Sequence, residues 1–416
     1  MKESLASEID EANRKALERI LSAKCFLVDT EPARKAIPGF KDNLITHSGP
    51  PIEWERMCRP QKLSITSLIV YEGLADTLEK AERLVQTREV IIEPNHNYGN
   101  VSGMCGATSA SLPVLVVENK GHGNLAYNWQ QTDVTAFGDK YERVEEIKFV
   151  QEILAPVMKA ILKEAGGINL NELLAKGLEM GDELHGSFEA CRGVLVNWIL
   201  PHLVKTDFPK DTLAQVGNYF LSREGRWYCG NLMMGACKAM MDPARDIKYS
   251  TVVTAMSRNG VEFGIQVSGL GNRWFTGPAG VITGYTFPGY KPDDSTLDIG
   301  DSAISETRGF GGTATPASPG QARFIGQSFQ DAVDHTKRMY EVSIIEDPMF
   351  RIPYLDFAGA PVGIDIRKVV KTGIVPKINT AMAHKEGGHS MIGAGMANAP
   401  IECFKAALKG FARQYG

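Results

Sequence analysis

From Asn379 to Gly395 the chain reads NTAMAHKEGGHSMIGAG. Two histidines, a lysine and a carboxylate stand there among four glycines, a stretch rich in proton-transfer groups and poor in packing residues. His384 and His389 lie five positions apart, not the three or four that align ligands along a helix, and the glycine pair between them disfavours helix. The stretch therefore predicts a loop. Glycines let backbone N–H groups approach an anion closely. Lys385 adds positive charge, and His384 can exchange a proton near neutral pH. Glu386 and Asn379 complete this candidate catalytic and binding set.

Four further stretches carry comparable residues. GDSAISETRGFGGTATPASPG (300–320) sets Asp301, Glu306, Thr307 and Arg308 before Gly311 and Gly312, a mixture suited to a carboxylate or phosphate. It lacks the Walker lysine and the dinucleotide-binding spacing. Arg258 and Asn259 fall at an expected hairpin tip, with Arg273 following in GNRWFTGP; arginine grips planar oxyanions through two bonds. NHNYGNVSGMCGATSASLP (95–113) offers His96 as a proton carrier and Thr108 and Ser109 as contacts beyond strand ends. No serine there sits in a G-x-S-x-G elbow. In MGDELHGSFEAC (180–191), an ideal helix would put Asp182, His185 and Glu189 on one side, either a solvated face or half of a metal site.

The elements that must position these groups follow from composition and periodicity. The 416 residues exceed what one core usually sustains, predicting two or three domains. A net charge of −4 argues against nucleic-acid binding. The absence of a long apolar run argues against a membrane span, and the charged start MKESLASEIDEANRK argues against export. Seven cysteines without a C-x-x-C pair fit reduced thiols in a cytoplasmic protein, with Cys191 and Cys237 as core residues.

Residues 4–24 carry apolar residues at helical spacing, and VIIEP (90–94) and LPVLVVEN (112–119) read as strands. Between about 141 and 241 strand signals give way to successive helical patterns, in one of which Leu184, Phe188, Cys191, Leu195 and Trp198 form an apolar face. The stretch 250–269 reads as a hairpin turning at Asn259-Gly260, and Pro400 opens a last helix. The expected fold is α+β: an α/β domain over 1–140, a small helical domain over 141–245, and an α+β domain over 246–416.

Several of these segments together resemble the bacterial YlbE/AllG family. They are HSGPP (47–51), GATSASLPVLVVEN (106–119), MGDELH (180–185), VTAMSRNGVEFGIQVSGLG (253–271), GDSAISET with GFGG (300–312), and the DIRKVV, AHKEGG and IGAG pieces of 365–395. The resemblance is collinear from about His47 to the final helix. It implies a multidomain α+β fold and a subunit of an oxamate carbamoyltransferase, which interconverts oxalurate plus phosphate with oxamate plus carbamoyl phosphate in purine and allantoin degradation. It further implies FdrA-like and AllH-like partner subunits. It brings no catalytic residue list and no cofactor. A chain of this size is also expected to self-associate.

Transfer of a carbamoyl group requires the phosphate held, the carbonyl polarised, and the attacking amide nitrogen relieved of a proton. The expectation is that the distant loops converge on one positively charged, glycine-floored cup. Two other roles compete: a scaffold or substrate-binding subunit, and a metal-dependent amidohydrolase built on His384, His389 and Glu386 or on the Asp182 face.

Overall fold

The computed structural model describes residues 2–129, 144–222, 224–389 and 391–416. It is a mixed α/β structure with five sheets among the described residues. Strand Pro113–Asn119 is buried on both faces, as its unbroken apolar run requires, and lies inside the five-stranded sheet. Its antiparallel neighbours are Cys25–Pro32 and Asn124–Trp129, and Asn100–Val101 and Ile168–Asn169 form the edges. Helix Lys2–Leu21 buries Ile9, Ala12, Ala16 and Ile20, the face its spacing predicted.

The helices between 144 and 241 are not separate from this sheet. Helix Gly225–Met241 packs on strands Pro113–Asn119 and Asn124–Trp129, and the apolar core of the sheet runs on through these helices. Close approach explains one of its glycines: a Cβ at Gly235 would stand 3.0 Å from the Val117 side chain. The expected boundary at 140/141 lies outside the described residues.

One helix differs from the periodicity. Leu170–Met180 ends at Gly181 in the left-handed region (φ +119), and helix Glu189–Leu203 begins only eight residues later. The Asp182 carboxylate accepts the Cys191 N–H at 2.7 Å, and Leu184 takes a positive φ of +66. Leu184 and Phe188 are buried as expected, but from a turn. Asp182, His185 and Glu189 therefore do not share a helical face.

A second group of sheets carries the C-terminal half. Strands Val253–Asn259 and Glu262–Val267 form the expected hairpin, with helix Ile401–Tyr415 packed against it. Its turn lies one residue later than expected, on Gly260 (φ +79) and Val261, because the Asn259 side chain accepts the N–H groups of Val261 (3.0 Å) and Glu262 (2.7 Å). Strands Lys377–Met382 and Gly393–Asn398 pair as a second hairpin, continued by Thr283–Thr286. No described helix is long and apolar enough to cross a membrane.

Arg258 joins these sheets. Fully buried, its guanidinium makes two 2.9 Å bonds to Asp298, and it also reaches Gly300 O at 2.6 Å and Thr380 Oγ1 at 3.1 Å. Removing one partner of a buried ion pair leaves an uncompensated charge, which typically costs about 3–5 kcal/mol. Asp298→Ala is expected to lose stability of that size in chemical denaturation. A loss under about 1 kcal/mol, the range of an exposed pair, would contradict the clamp.

Candidate active site

A cavity of about 630 Å3 opens where the two groups of sheets meet. Its wall is assembled from distant segments. His185 comes from the turn between helices Leu170–Met180 and Glu189–Leu203, and Asn379 and Thr380 from strand Lys377–Met382. Ser302 follows strand Ile299–Gly300, Gln321 lies on helix Pro319–Phe324, and Arg226 and Asn231 lie on helix Gly225–Met241. Phe188, Trp227, Phe287, Phe324 and three methionines from 104 to 234 supply the apolar part.

Behind His185 stands the buried carboxylate of Glu306. His185 Nδ1 lies 2.8 and 3.0 Å from its two oxygens. Oε1 also accepts the Gly312 N–H (2.8 Å) and the Asn379 N–H (3.1 Å), and Oε2 accepts the Ser305 hydroxyl (2.7 Å). Burial alone would raise the Glu306 pKa; the positive potential of the His185 ring and these hydrogen bonds outweigh it and hold the carboxyl below its ordinary value. Gly311 adopts φ +58, and a Cβ there would stand 2.1 Å from Glu306 Oε1, so glycine is required by the carboxylate itself.

With Nδ1 facing an acceptor, the ring proton resides there, and His185 Nε2 makes no hydrogen bond to the described residues. At Gly186 next to it, a Cβ would stand 2.3 Å from Gln321 Nε2 and 3.0 Å from Asn379 Nδ2, so a side chain there would displace these amides. Those two amides therefore converge over Gly186. The Asn379 amide also donates to Glu183, a buried carboxylate that accepts the Gly186 and Ser187 N–H groups. Burial raises the Glu183 pKa, with its hydrogen bonds opposing.

Asp301 anchors an adjoining network. It accepts the N–H of Gly49 (2.9 Å) and Ser102 (3.0 Å), the Asn95 amide (2.8 Å) and the Ser257 hydroxyl. Burial raises its pKa against the pull of these bonds. His96 approaches it at 3.6 Å, but burial, together with the charges of Lys238 and Arg245, pushes the His96 pKa well down, so this is no ion pair. Among the described residues neither His96 nitrogen has a hydrogen-bond partner.

The sequence-predicted residues separate into three groups. Glu306, Gly311, Gly312 and Asn379 come together around His185, and Arg258 and Asp301 lie in the layer just beneath. Of the residues expected to bind or catalyse, only Asn379 lines the cavity, together with His185, which the sequence offered for a solvated or metal-binding face. The GFGG segment was expected to cradle a ligand phosphate; instead Gly312 N–H serves Glu306 and Gly311 N–H serves Glu183 O at 2.7 Å. Asn259, Thr307 and Thr108 serve local bonds: the turn, Ala303 O at 3.0 Å and the Asn100 amide at 2.9 Å. Ser109 and His96 are buried away from the cavity.

The third group lies elsewhere. His384 stacks on His389 at 4.2 Å, Lys385 Nζ donates to Asp293 O at 2.9 Å, and Glu386 pairs with Arg59 at 3.5 Å. Burial and the neighbouring His389 depress the His384 pKa. None of the three lines the cavity. Gly393 and Gly395 are bare because they lie in a strand pressed against Thr283–Thr286, where a Cβ at Gly395 would stand 2.3 Å from Thr283 O. Arg273 bonds Leu270 O at 3.1 Å and the Gln414 side chain, above Phe275.

The cavity is thus not the positively lined cup the sequence led us to expect. Arg226 is the cation among its described lining residues, alongside Glu146 and Glu224. Arg226 and Asn231 escaped sequence reading, although a polar Asn231 amid the apolar NLMMGACKAMM was a visible signal. Gln321 offered none. Among the described residues no three potential ligands gather as a metal site, including both sets considered for an amidohydrolase.

Comparison with known proteins agrees with the sequence resemblance. The sequence profile described as oxamate carbamoyltransferase subunit AllG matches residues 90–302. The chain is 40% identical to the uncharacterized protein YahG of Escherichia coli K12 over 416 residues, covering 99% of this chain and 88% of YahG. A crystal structure of a conserved protein of unknown function from Enterococcus faecalis V583 has the same fold, with a TM-score of 0.95 at 38% identity over 99% of each chain. The oxamate carbamoyltransferase subunit AllG of Escherichia coli K12 is 39% identical over 417 residues, 99% of either chain. That span takes in every segment that builds the His185 cavity, and the chain belongs to the AllG family.

Proposed function

We propose that this chain is a subunit of an oxamate carbamoyltransferase-like enzyme and that the His185 cavity receives the reacting groups. The full-length 39% identity to a protein named as such a subunit carries this reading. The donor is carbamoyl phosphate and the acceptor a small amide-bearing acid such as oxamate. The acceptor nitrogen bonds to the carbamoyl carbon, the bond from that carbon to the phosphate oxygen breaks with its electron pair leaving on phosphate, and the amide proton departs. No cofactor is needed for this exchange.

The lining suits small planar amides. The Gln321 and Asn379 side chains and the Ser302 and Thr380 hydroxyls supply donors and acceptors, and Arg226 supplies positive charge for a carboxylate or phosphate. Glu146 and Glu224 oppose a dianion at the same cavity. The remaining counter-charge therefore comes from partner chains, FdrA-like and AllH-like, in a cytoplasmic complex of purine and allantoin catabolism. The same two glutamates favour one second reading, a substrate-binding subunit whose partners perform all the chemistry.

Co-expression with the two partner chains is expected to give phosphate release from carbamoyl phosphate that depends on oxamate. Release that ignores oxamate, or none at all, contradicts the proposal. Arg226→Ala is expected to weaken substrate binding by about 10- to 100-fold, the worth of one charge-assisted hydrogen bond. Calorimetry with each substrate on the isolated chain and on the complex separates the two readings: the second requires binding without any effect of cavity substitutions on kcat.

A further inference from the structure

We infer that His185 is the general base of the transfer and that Glu306 is the residue that positions it. This rests on the carbamoyl-transfer reading above. It assigns the one step that the reading leaves open, the fate of the acceptor's amide proton.

The geometry carries the assignment. The Glu306 carboxylate engages Nδ1 through both oxygens, so the ring proton resides on Nδ1 and the Nε2 lone pair is left to accept another. His185 lines the cavity, and its Nε2 makes no hydrogen bond to a described residue. Glu306 and the Ser305 hydroxyl, 2.9 Å from Nδ1, hold the ring, and Gly311, lacking a side chain, lets the His185 Cβ come close. Gln321 Nε2 and Asn379 Nδ2 converge over adjacent Gly186, so an amide bound between them is presented beside the imidazole.

As the acceptor nitrogen attacks the carbamoyl carbon, its proton moves to His185 Nε2. The carbon–oxygen bond to phosphate breaks, and the imidazolium returns the proton to the departing phosphate. Glu306 remains ionised throughout and stabilises the transient imidazolium, as its depressed pKa allows. No other reactant enters. Among the described residues, the titratable groups nearest this ring are Glu306 on Ile304–Arg308 and Glu183 in its own turn, and Glu146, Glu224 and Arg226 line the same cavity.

The test is the pH dependence of kcat/KM in the reconstituted complex, with wild type, His185→Gln and Glu306→Gln. A base must be neutral, so wild-type activity is expected to fall on acidification. His185→Gln should lower kcat by about 100-fold or more, within the range general-base catalysis supplies, with KM for either substrate changed far less. Glu306→Gln should lower kcat and also move the acid limb to lower pH, because the imidazolium loses its counter-charge. A purely structural role would not move that limb. A wild-type profile with no acid limb overturns the assignment without requiring any variant to fold. So does a His185→Gln complex within about threefold of wild type. Both results leave the transfer reading intact. No oxamate-dependent transfer by the wild-type complex overturns the reading itself, and the assignment with it.

Discussion

A carboxylate with no exposed surface is the constraint on which this structure depends. Glu306 cannot stay ionised in the interior unless its oxygens are fully engaged. The chain meets that demand with groups from three distant segments: the His185 ring, the Gly312 N–H and the Asn379 N–H. Each bond that satisfies the charge also fixes a piece of the cavity. The imidazole faces inward, the GFGG turn closes around the carboxylate, and strand Lys377–Met382 presents Asn379 and Thr380 at the wall. The arrangement is interdependent, because a half-satisfied buried network costs more than an apolar core.

The other buried charges repeat the pattern one layer out. Asp301 ties the 95–102 segment to the strand that precedes Ser302, and Arg258 with Asp298 ties that strand to Thr380. Arg308 lies beside Phe310 and Phe350 and pairs with Asp347. Arg258 and Arg308, which looked available for substrate, are therefore internal counter-ions. What they leave at the cavity is a surface of amides, hydroxyls and apolar side chains with little net charge.

The sequence disclosed the scaffold more readily than the site. Strand 113–119 and the 253–267 hairpin announce themselves through local rules, an unbroken apolar run and an Asn-Gly pair, and both elements are present, the hairpin turning one residue later than that pair. Glu306, Gly311, Gly312 and Asn379 were legible as a group because polar residues beside glycines are conspicuous. Their purpose was not, since serving the protein's own carboxylate and serving a ligand anion demand the same residues. His384 drew attention for its glycine neighbours, yet Gly393 and Gly395 answer a close strand pairing that only tertiary contact reveals. His185 was noticed on a helix that Gly181 ends before reaching it.

The central claim is that Glu306 fixes His185 with its proton on Nδ1 and a free lone pair on Nε2. Nitrogen NMR of the 15N-histidine-labelled protein near neutral pH measures this directly. The account predicts a His185 signal of a single tautomer, protonated at Nδ1, that is lost or redistributed when Glu306 is replaced by glutamine. A His185 ring protonated at Nε2, or exchanging freely between both forms while Glu306 is intact, would contradict it.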